Sequence, residues 1–279
     1  MLVPFTSIGL VTIFSSLVQA YVLPESSQHP PCVDSHSTFT NSLDGWILER
    51  GSTAKNYEHS NDGLVMKITA PNEYVRLNDN STVDNLPYNK YEGKGFTFNA
   101  TSYMQYGRFS ATVKSADVPG AVTAVILIAD DGDEIDFELL AGGSETITSN
   151  YFWGQKIVYG ANGRTIDPPA KATSEQFYTY TIDWSPERII WYIDGKEIRR
   201  TTKAEAGVAY PSSAARVSYA NSLSNRSRVQ IGLWDGSGVS GTAQWARGPI
   251  DWKARNNEDI RAYVKDVTIE CTSKDNKVV

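Results

Sequence analysis

Six consecutive residues carry most of the chemistry in this chain: Asp133-Glu134-Ile135-Asp136-Phe137-Glu138. Acids alternate with apolar residues at period two, and successive side chains on a β-strand point to opposite faces. As a strand, the segment puts Glu134, Asp136 and Glu138 on one face and Ile135, Phe137 and Leu139 on the other. The apolar face can enter a core. The acidic face then presents three carboxyl groups in a row, each roughly 6.5–7 Å from the next along the backbone. Like charges packed this closely point to a use for perturbed carboxyls. The use that fits is cleavage of a glycosidic bond, which takes a carboxylate nucleophile and a carboxylic acid flanking one bond. A solvated strand face or a cation site is the plainer alternative. Hard cations take carboxylate oxygens, but a strand delivers its ligands in a line rather than a cage, and the loop spacing with a central glycine is missing.

Glu134 and Glu138 are four residues apart, so their Cα atoms lie about 13 Å apart on a straight strand. A retaining mechanism needs the two carboxyl groups about 5–5.5 Å apart. The long glutamate side chains must therefore lean inward over the shorter Asp136. Three carboxyls this close cannot all ionise easily, so at least one should keep a proton near neutral pH. The residues alone do not say which glutamate plays which part.

Histidine argues by its scarcity. The three are His29, His36 and His59, all upstream of the strand-rich middle of the chain. A Ser-His-Asp triad or a histidine-based zinc site is therefore not supported, and no metal or cofactor is expected. A net charge of -6, without any Lys- or Arg-rich run, speaks against a nucleic-acid partner.

The active segment resembles the catalytic strand of family 16 glycoside hydrolases and transglycosylases. Within that family, Asp133 to Gly143 followed by Thr148-Ser149-Asn150-Tyr151-Phe152-Trp153 resembles the fungal Crh-type cell-wall transglycosylases. Ser149 stands where that pattern usually has threonine. The likeness runs from about Phe39 to Cys271. It implies an all-β fold, a two-sheet concanavalin-like jelly roll whose concave sheet forms a sugar cleft. It also implies Glu134 as nucleophile, Asp136 as assisting residue and Glu138 as acid/base. The implied substrates are polysaccharides, with chitin as donor and β-glucan or chitin as acceptor. Two alternatives stay open: a β-1,3(4)-glucan hydrolase, and a non-catalytic sugar-binding wall protein.

Sugars bind on aromatic faces through their apolar C–H surfaces. With seven Trp and 15 Tyr, the chain has platforms to spare. Trp46, Trp184 and Trp191 sit in strand patterns and are expected to pack in the core. Trp234 and Trp245 flank the glycine-rich stretch Asp235 to Gly241, and the resemblance implies that both line the cleft. Tyr106, Asn150, Phe152 and Trp153 are further candidates for substrate contact, with Arg164 and Gln155 behind them. Asn150 could equally satisfy backbone groups at a strand end.

The elements that must position these groups are short strands broken by Gly, Asn, Asp and Pro. Expected strands cover residues 63–69, 74–77, 95–99, 107–114, 121–129 and the active segment. Others cover 150–153, 178–184, 188–193, 196–201, 229–234 and 262–271. Asp194-Gly195 between two β-rich runs predicts a tight type I′ hairpin. Residues 256–261 could form one helical turn. Antiparallel sheets stacked in two layers fit this pattern.

Residues 1–20 read as a secretory signal with an apolar run near Ile8 to Phe14 and a Val18-Gln19-Ala20 end. An uncleaved anchor is the alternative, although the run is short for a membrane span. Residues 21–37 form an extended leader, 38–272 the catalytic domain and 273–279 a tail. The tail carries no hydrophobic stretch, so no lipid-anchor signal is expected. The two cysteines, Cys32 and Cys271, are expected to join the ends of the domain in an oxidising compartment, free buried thiols being the alternative. Sequons at Asn80, Asn99 and Asn225 agree with export. A secreted monomer held in or near a cell wall is the expectation.

Overall fold

The computed structural model describes residues 30–130, 132–141, 146–152, 158–167, 169, 172–208 and 227–272. The expected signal, the leader up to residue 29, Trp153, Gln155, Asn225 and the tail lie outside the described residues.

The strands are β1 (Ser35–Ser37), β2 (Trp46–Leu48), β3 (Tyr57–Ser60), β4 (Gly63–Ile68), β5 (Arg76–Asp79) and β6 (Leu86–Asn89). There follow β7 (Phe96–Ala100), β8 (Gly107–Lys114), β9 (Ala121–Ala129), β10 (Glu134–Leu140), β11 (Thr146–Phe152) and β12 (Arg164–Ile166). The last are β13 (Tyr178–Trp184), β14 (Arg188–Ile193), β15 (Lys196–Thr202), β16 (Ser227–Asp235) and β17 (Ile260–Glu270). Among the described residues, two short α-helices, α1 (Lys203–Val208) and α2 (Ser240–Trp245), and a single 3-10 turn at Ala54–Asn56 interrupt them.

Two antiparallel sheets face each other. One runs β15-β14-β13-β8-β17-β4-β3, with β1 paired to β17; the other runs β12-β11-β10-β9-β16-β7-β2. The expected two-layer all-β architecture is what forms. Its core is built from alternation: Ile135, Phe137 and Leu139 of β10 are 0–1 % exposed and sit with Val125, Leu127, Val229, Ile231, Phe96 and Phe98 on one side. Trp191, Tyr180, Ile182, Phe109 and Met66 meet them from the other sheet. Trp46, Trp184 and Trp191 are all buried, as their strand patterns suggest.

The Asp194-Gly195 hairpin has positive φ at both turn residues, 48° and 75°, the conformation a type I′ turn demands. It joins β14 to β15 with Ile193 opposite Lys196. The helical turn expected at residues 256–261 does not form. Asn256 and Asn257 adopt left-handed backbone at φ 54° and 58°, which ends any helix, and Ile260 already begins β17.

Cys32 and Cys271 are joined, across 239 residues of sequence. The cystine fastens the segment entering β1 to the end of β17, and the Cys271 N–H also donates to Asp34 Oδ1 at 2.7 Å. Closing so long a loop removes unfolded-chain entropy worth about 2–5 kcal/mol. Replacing both cysteines by serine should lower stability by about that amount and leave the sheets intact. Denaturant unfolding with matched circular dichroism checks this; an unchanged midpoint would show that the paired strands alone hold the ends.

Candidate active site

Strand register assembles the site. Across β10, Glu134, Asp136 and Glu138 pair with Phe152, Asn150 and Thr148 of β11 on one side. On the other side they pair with Ile128, Ile126 and Ala124 of β9. Directly paired residues share a sheet face, so all nine lie on the outer face of the seven-stranded sheet. The face continues onto β16, where Arg228, Gln230, Gly232 and Trp234 pair with Ile128, Ile126, Ala124 and Val122. It continues onto β7, where Asn99 pairs with Gln230 and Thr97 with Gly232, and reaches β2 at Ile47, opposite Asn99.

The three acids are strongly desolvated. Asp136 is fully buried, and neither of its carboxylate oxygens meets a partner at hydrogen-bonding geometry. Burial raises its pKa well above the usual carboxylate range, and the charges of Glu138 and Glu134 raise it further. The Arg199 guanidinium and the neighbouring Asn150 backbone N–H pull in the opposite direction. Burial pushes Glu134 up to about 7. Burial and the charge of Glu134 push Glu138 up to about 8. Three carboxyls so placed cannot all ionise near neutral pH, so the row keeps at least one proton.

Two groups from the facing sheet hold this strand in place. Trp191 Nε1 donates to the Asp136 carbonyl at 3.0 Å. Arg199 lies 4.4 Å over the Trp191 ring and donates to Ser149 O at 2.7 Å, Ser149 Oγ at 2.9 Å and Asn162 O at 2.6 Å. Ser149 is the register partner of Phe137, so Arg199 braces β11 exactly beside the acids' own strand from behind.

The aromatic candidates divide. Trp234 lies on the acid face and stacks with Trp245 of α2, centroids 6.1 Å apart and planes 19° apart. Trp245 is 37 % exposed, so the pair offers a face to solvent. Val122, Leu140 and Ala246 make a small apolar patch beneath Trp234. Phe152 also lies on the acid face, and the exposed Tyr159 packs beside it at 6.1 Å. Asn150 sits opposite Asp136, and its Oδ1 accepts from the Tyr151 N–H at 2.9 Å.

Tyr106 departs from expectation. It precedes β8 in the other sheet, takes φ 68° and packs against buried Trp184 at 4.8 Å. Its ring fills the end of the core, away from the acid face. Arg164 departs too: it pairs with Ser149, on the side of the sheet opposite the acids. Of the sequons, Asn80 is exposed. Asn99 is not a glycan site in this fold: it is fully buried, and its amide nitrogen donates to Glu49 Oε2.

Several site residues were missed by the sequence reading. Arg228-Val229-Gln230-Ile231-Gly232-Leu233-Trp234 alternates polar or small with apolar residues just as the acid strand does, and that was the available signal. Glu49 and Arg199 had none, since each reaches its partners across about 50 residues of chain.

Comparison with known proteins gives the family. Residues 52–254 match the family described as "Glycosyl hydrolases family 16". "Crh-like protein 2" of Aspergillus fumigatus is 31% identical over 204 residues, covering 71% of this chain and 44% of that protein. "Probable glycosidase CRR1" of Saccharomyces cerevisiae is 35% identical over 190 residues, covering 63% and 41%. The chain thus spans less than half the length of these relatives. Among solved structures, "Apo Crh5 transglycosylase" superposes with a TM-score of 0.66 at 25% identity, covering 87% of this chain and 86% of that one. "Crh5 transglycosylase in complex with NAG" matches at 0.65.

The raised carboxyls make a stability prediction. Each binds its proton more tightly in the folded protein than in the unfolded chain. The associated stability is fully present below the ordinary carboxylate pKa and is lost as pH rises through the folded values, about 7 for Glu134 and about 8 for Glu138. Melting temperature should therefore decline between about pH 4 and pH 9. Asp136→Asn, which removes the buried charge, should flatten that decline and raise the melting point at alkaline pH by about 2–4 °C. A variant that melts lower than the parent at every pH would contradict this electrostatic picture.

Proposed function

Because the chain belongs to glycosyl hydrolase family 16, we propose that it is a retaining, cell-wall-directed transglycosylase that cleaves a chitin donor and passes it to a β-glucan or chitin acceptor. The observation that carries this reading is the row of three desolvated, mutually coupled carboxyls on one face of β10. The Crh-like relatives and the Crh5 structure with NAG support the choice of an N-acetylated donor.

In the proposed mechanism, ionised Glu134 attacks the anomeric carbon. Glu138 gives its proton to the leaving oxygen, and a covalent glycosyl-enzyme forms with loss of the leaving chain. Glu138, now a carboxylate, then takes a proton from the hydroxyl of an incoming sugar, which attacks the anomeric carbon and frees Glu134. Asp136 lies between the two and exchanges charge with both: its own raised pKa lets it hold a proton while Glu134 is ionised. Burial favours sharing one proton among neighbours over three separate charges. Trp234 with Trp245, and Phe152 with Tyr159, supply sugar platforms at the two ends of the acid row. Asn150 and Thr148 edge the same row from β11. Whether water or sugar ends the cycle is decided by how well an acceptor excludes water from the intermediate. The Val18-Gln19-Ala20 segment and the cystine support export, and one domain acting as a monomer suffices for the chemistry.

Incubating the protein with chitin oligosaccharides and a fluorescent laminarin oligosaccharide, resolved by mass, tests the reaction. Labelled hybrids are expected. Shortened chitin alone would make the protein a hydrolase, and cleavage confined to β-glucan would remove the chitin donor.

Two substitutions test the roles. Glu134→Gln should cut turnover by at least about 10³-fold while folding and oligosaccharide binding persist. Glu138→Ala should cost about 10²–10⁴-fold on natural glycosides and under about tenfold on activated aryl glycosides, whose leaving groups need no proton. Equal losses on both substrates would take the acid role away from Glu138.

A further inference from the structure

Two strands away from the acids, the same face carries a polar row that the mechanism above does not use. Gln230 lies in register with Ile126 and, beyond it, with Asp136. Two strand spacings put it about 10 Å from Asp136. Ile126 and Ile128 form an apolar floor between them.

The row is wired in one direction. Arg228 Nη2 lies 3.8 Å from Glu49 Oε2 and 3.9 Å from Asp130 Oδ1, and its guanidinium sits over the Tyr103 ring at 5.5 Å. Glu49 Oε2 takes a hydrogen bond from Asn99 Nδ2. Asn99 Oδ1 takes one from Gln230 Nε2 at 2.7 Å. A carboxylate only accepts hydrogen bonds, so the Asn99 amide must turn its NH₂ toward Glu49. The Asn99 carbonyl then faces Gln230, and a carbonyl also only accepts. Gln230 must therefore give its NH₂ to Asn99, which turns Gln230 Oε1 away from β7.

We propose that Gln230 Oε1 is a dedicated acceptor for the acetamido N–H of an N-acetylated sugar bound next to the reacting one, held in that orientation by Glu49 and Asn99. The proposal rests on the reading of the chain as an enzyme of N-acetylated glycans, and it deepens that reading by naming the group that recognises the acetamido substituent. The sign of the hydrogen bond is what singles out this ligand chemistry. A sugar hydroxyl can donate to Gln230 Oε1 or, by turning, accept from a reversed amide, so it tolerates either orientation. An amide nitrogen in a sugar substituent only donates, so it depends on an acceptor that cannot flip. A site built to bond such a group rejects the analogue lacking it, because its own buried polar atoms are then left without partners.

The test compares two β-1,4-linked ligands that differ in the substituent: an N-acetylated chitin tetrasaccharide and cellotetraose. Binding is measured by calorimetry on the Glu134→Gln protein, where no turnover intervenes. The chitin ligand should bind more tightly. Adding Gln230→Met should weaken the chitin ligand about 10- to 100-fold and cellotetraose clearly less, because its hydroxyl can turn to another partner. Glu49→Gln leaves the shape of the row intact but lets the Asn99 amide reverse; it should produce a smaller loss, again confined to the chitin ligand. Equal losses on both ligands, no loss on either, or a parent that does not distinguish the two ligands would overturn the proposal. Failure of the broader reading shows elsewhere: a protein that binds chitin through Gln230 yet makes no hybrid products in the transfer assay loses the reaction and keeps the recognition.

Discussion

Asp136 sits at the dry centre of this protein, and much of the structure serves to keep it there. A carboxyl group without hydrogen-bond partners is among the costliest groups to bury, and here two more carboxyls crowd it along one strand. The opposite face of the same strand offsets that cost. Ile135, Phe137 and Leu139 are buried almost completely, each contributing about 1.5–3 kcal/mol of burial. Period-two alternation thus couples the penalty to its compensation: the strand cannot slip by one residue without exchanging acids for apolar side chains. Phe137 is anchored further by Tyr180, edge to face at 5.4 Å. The Trp191 bond to the Asp136 carbonyl fixes the backbone beside the three carboxyls.

The charge balance around the row follows from where the cations are. Arg199 approaches from behind, through the inter-sheet space, and favours the ionised form of Asp136 without blocking the face above it. Its bonds to Ser149 and Asn162 tie β11 to the neighbouring loop, so one guanidinium both braces the partner strand and offsets part of the negative charge. Arg228 stands on the acid face itself, but Glu49 and Asp130 lie beside it. The two arginines therefore act differently. One tunes the carboxyls, and the other is matched by two acids of its own row.

Much of this was legible because β-structure writes its face pattern at period two. The acid strand, the long strands at residues 107–114, 121–129, 178–184 and 188–193, and the Asp194-Gly195 turn all follow from side chains that are near in sequence. The short strands β1, β2, β3, β6 and β12 were missed. Each is three or four residues long and buries at most one residue, so its own sequence carries too little alternation to mark it. Tyr106 was not legible because the chain there turns into the other sheet and uses the ring to cap Trp184, a contact 78 residues away in sequence. Asn99 misled for the opposite reason. Three residues of local sequence spell a glycan acceptor, but β7 pairs between β16 and β2 and points that amide into the polar row.

That pairing explains why one sheet can separate chemistry from recognition. β10 and β16 use the same alternation, with apolar residues inward and functional ones outward, and β9 lies between them with only Ile128, Ile126, Ala124 and Val122 on the outer face. An apolar strip one strand wide separates three carboxyls with raised pKa values from the amide row that Asn99 anchors on Glu49. The outer face of β9 thus sets the spacing between the two rows. Gly232 extends the separation: a Cβ there would meet Thr97 Oγ1 at 2.8 Å, so the position between Gln230 and the stacked Trp234 and Trp245 stays low.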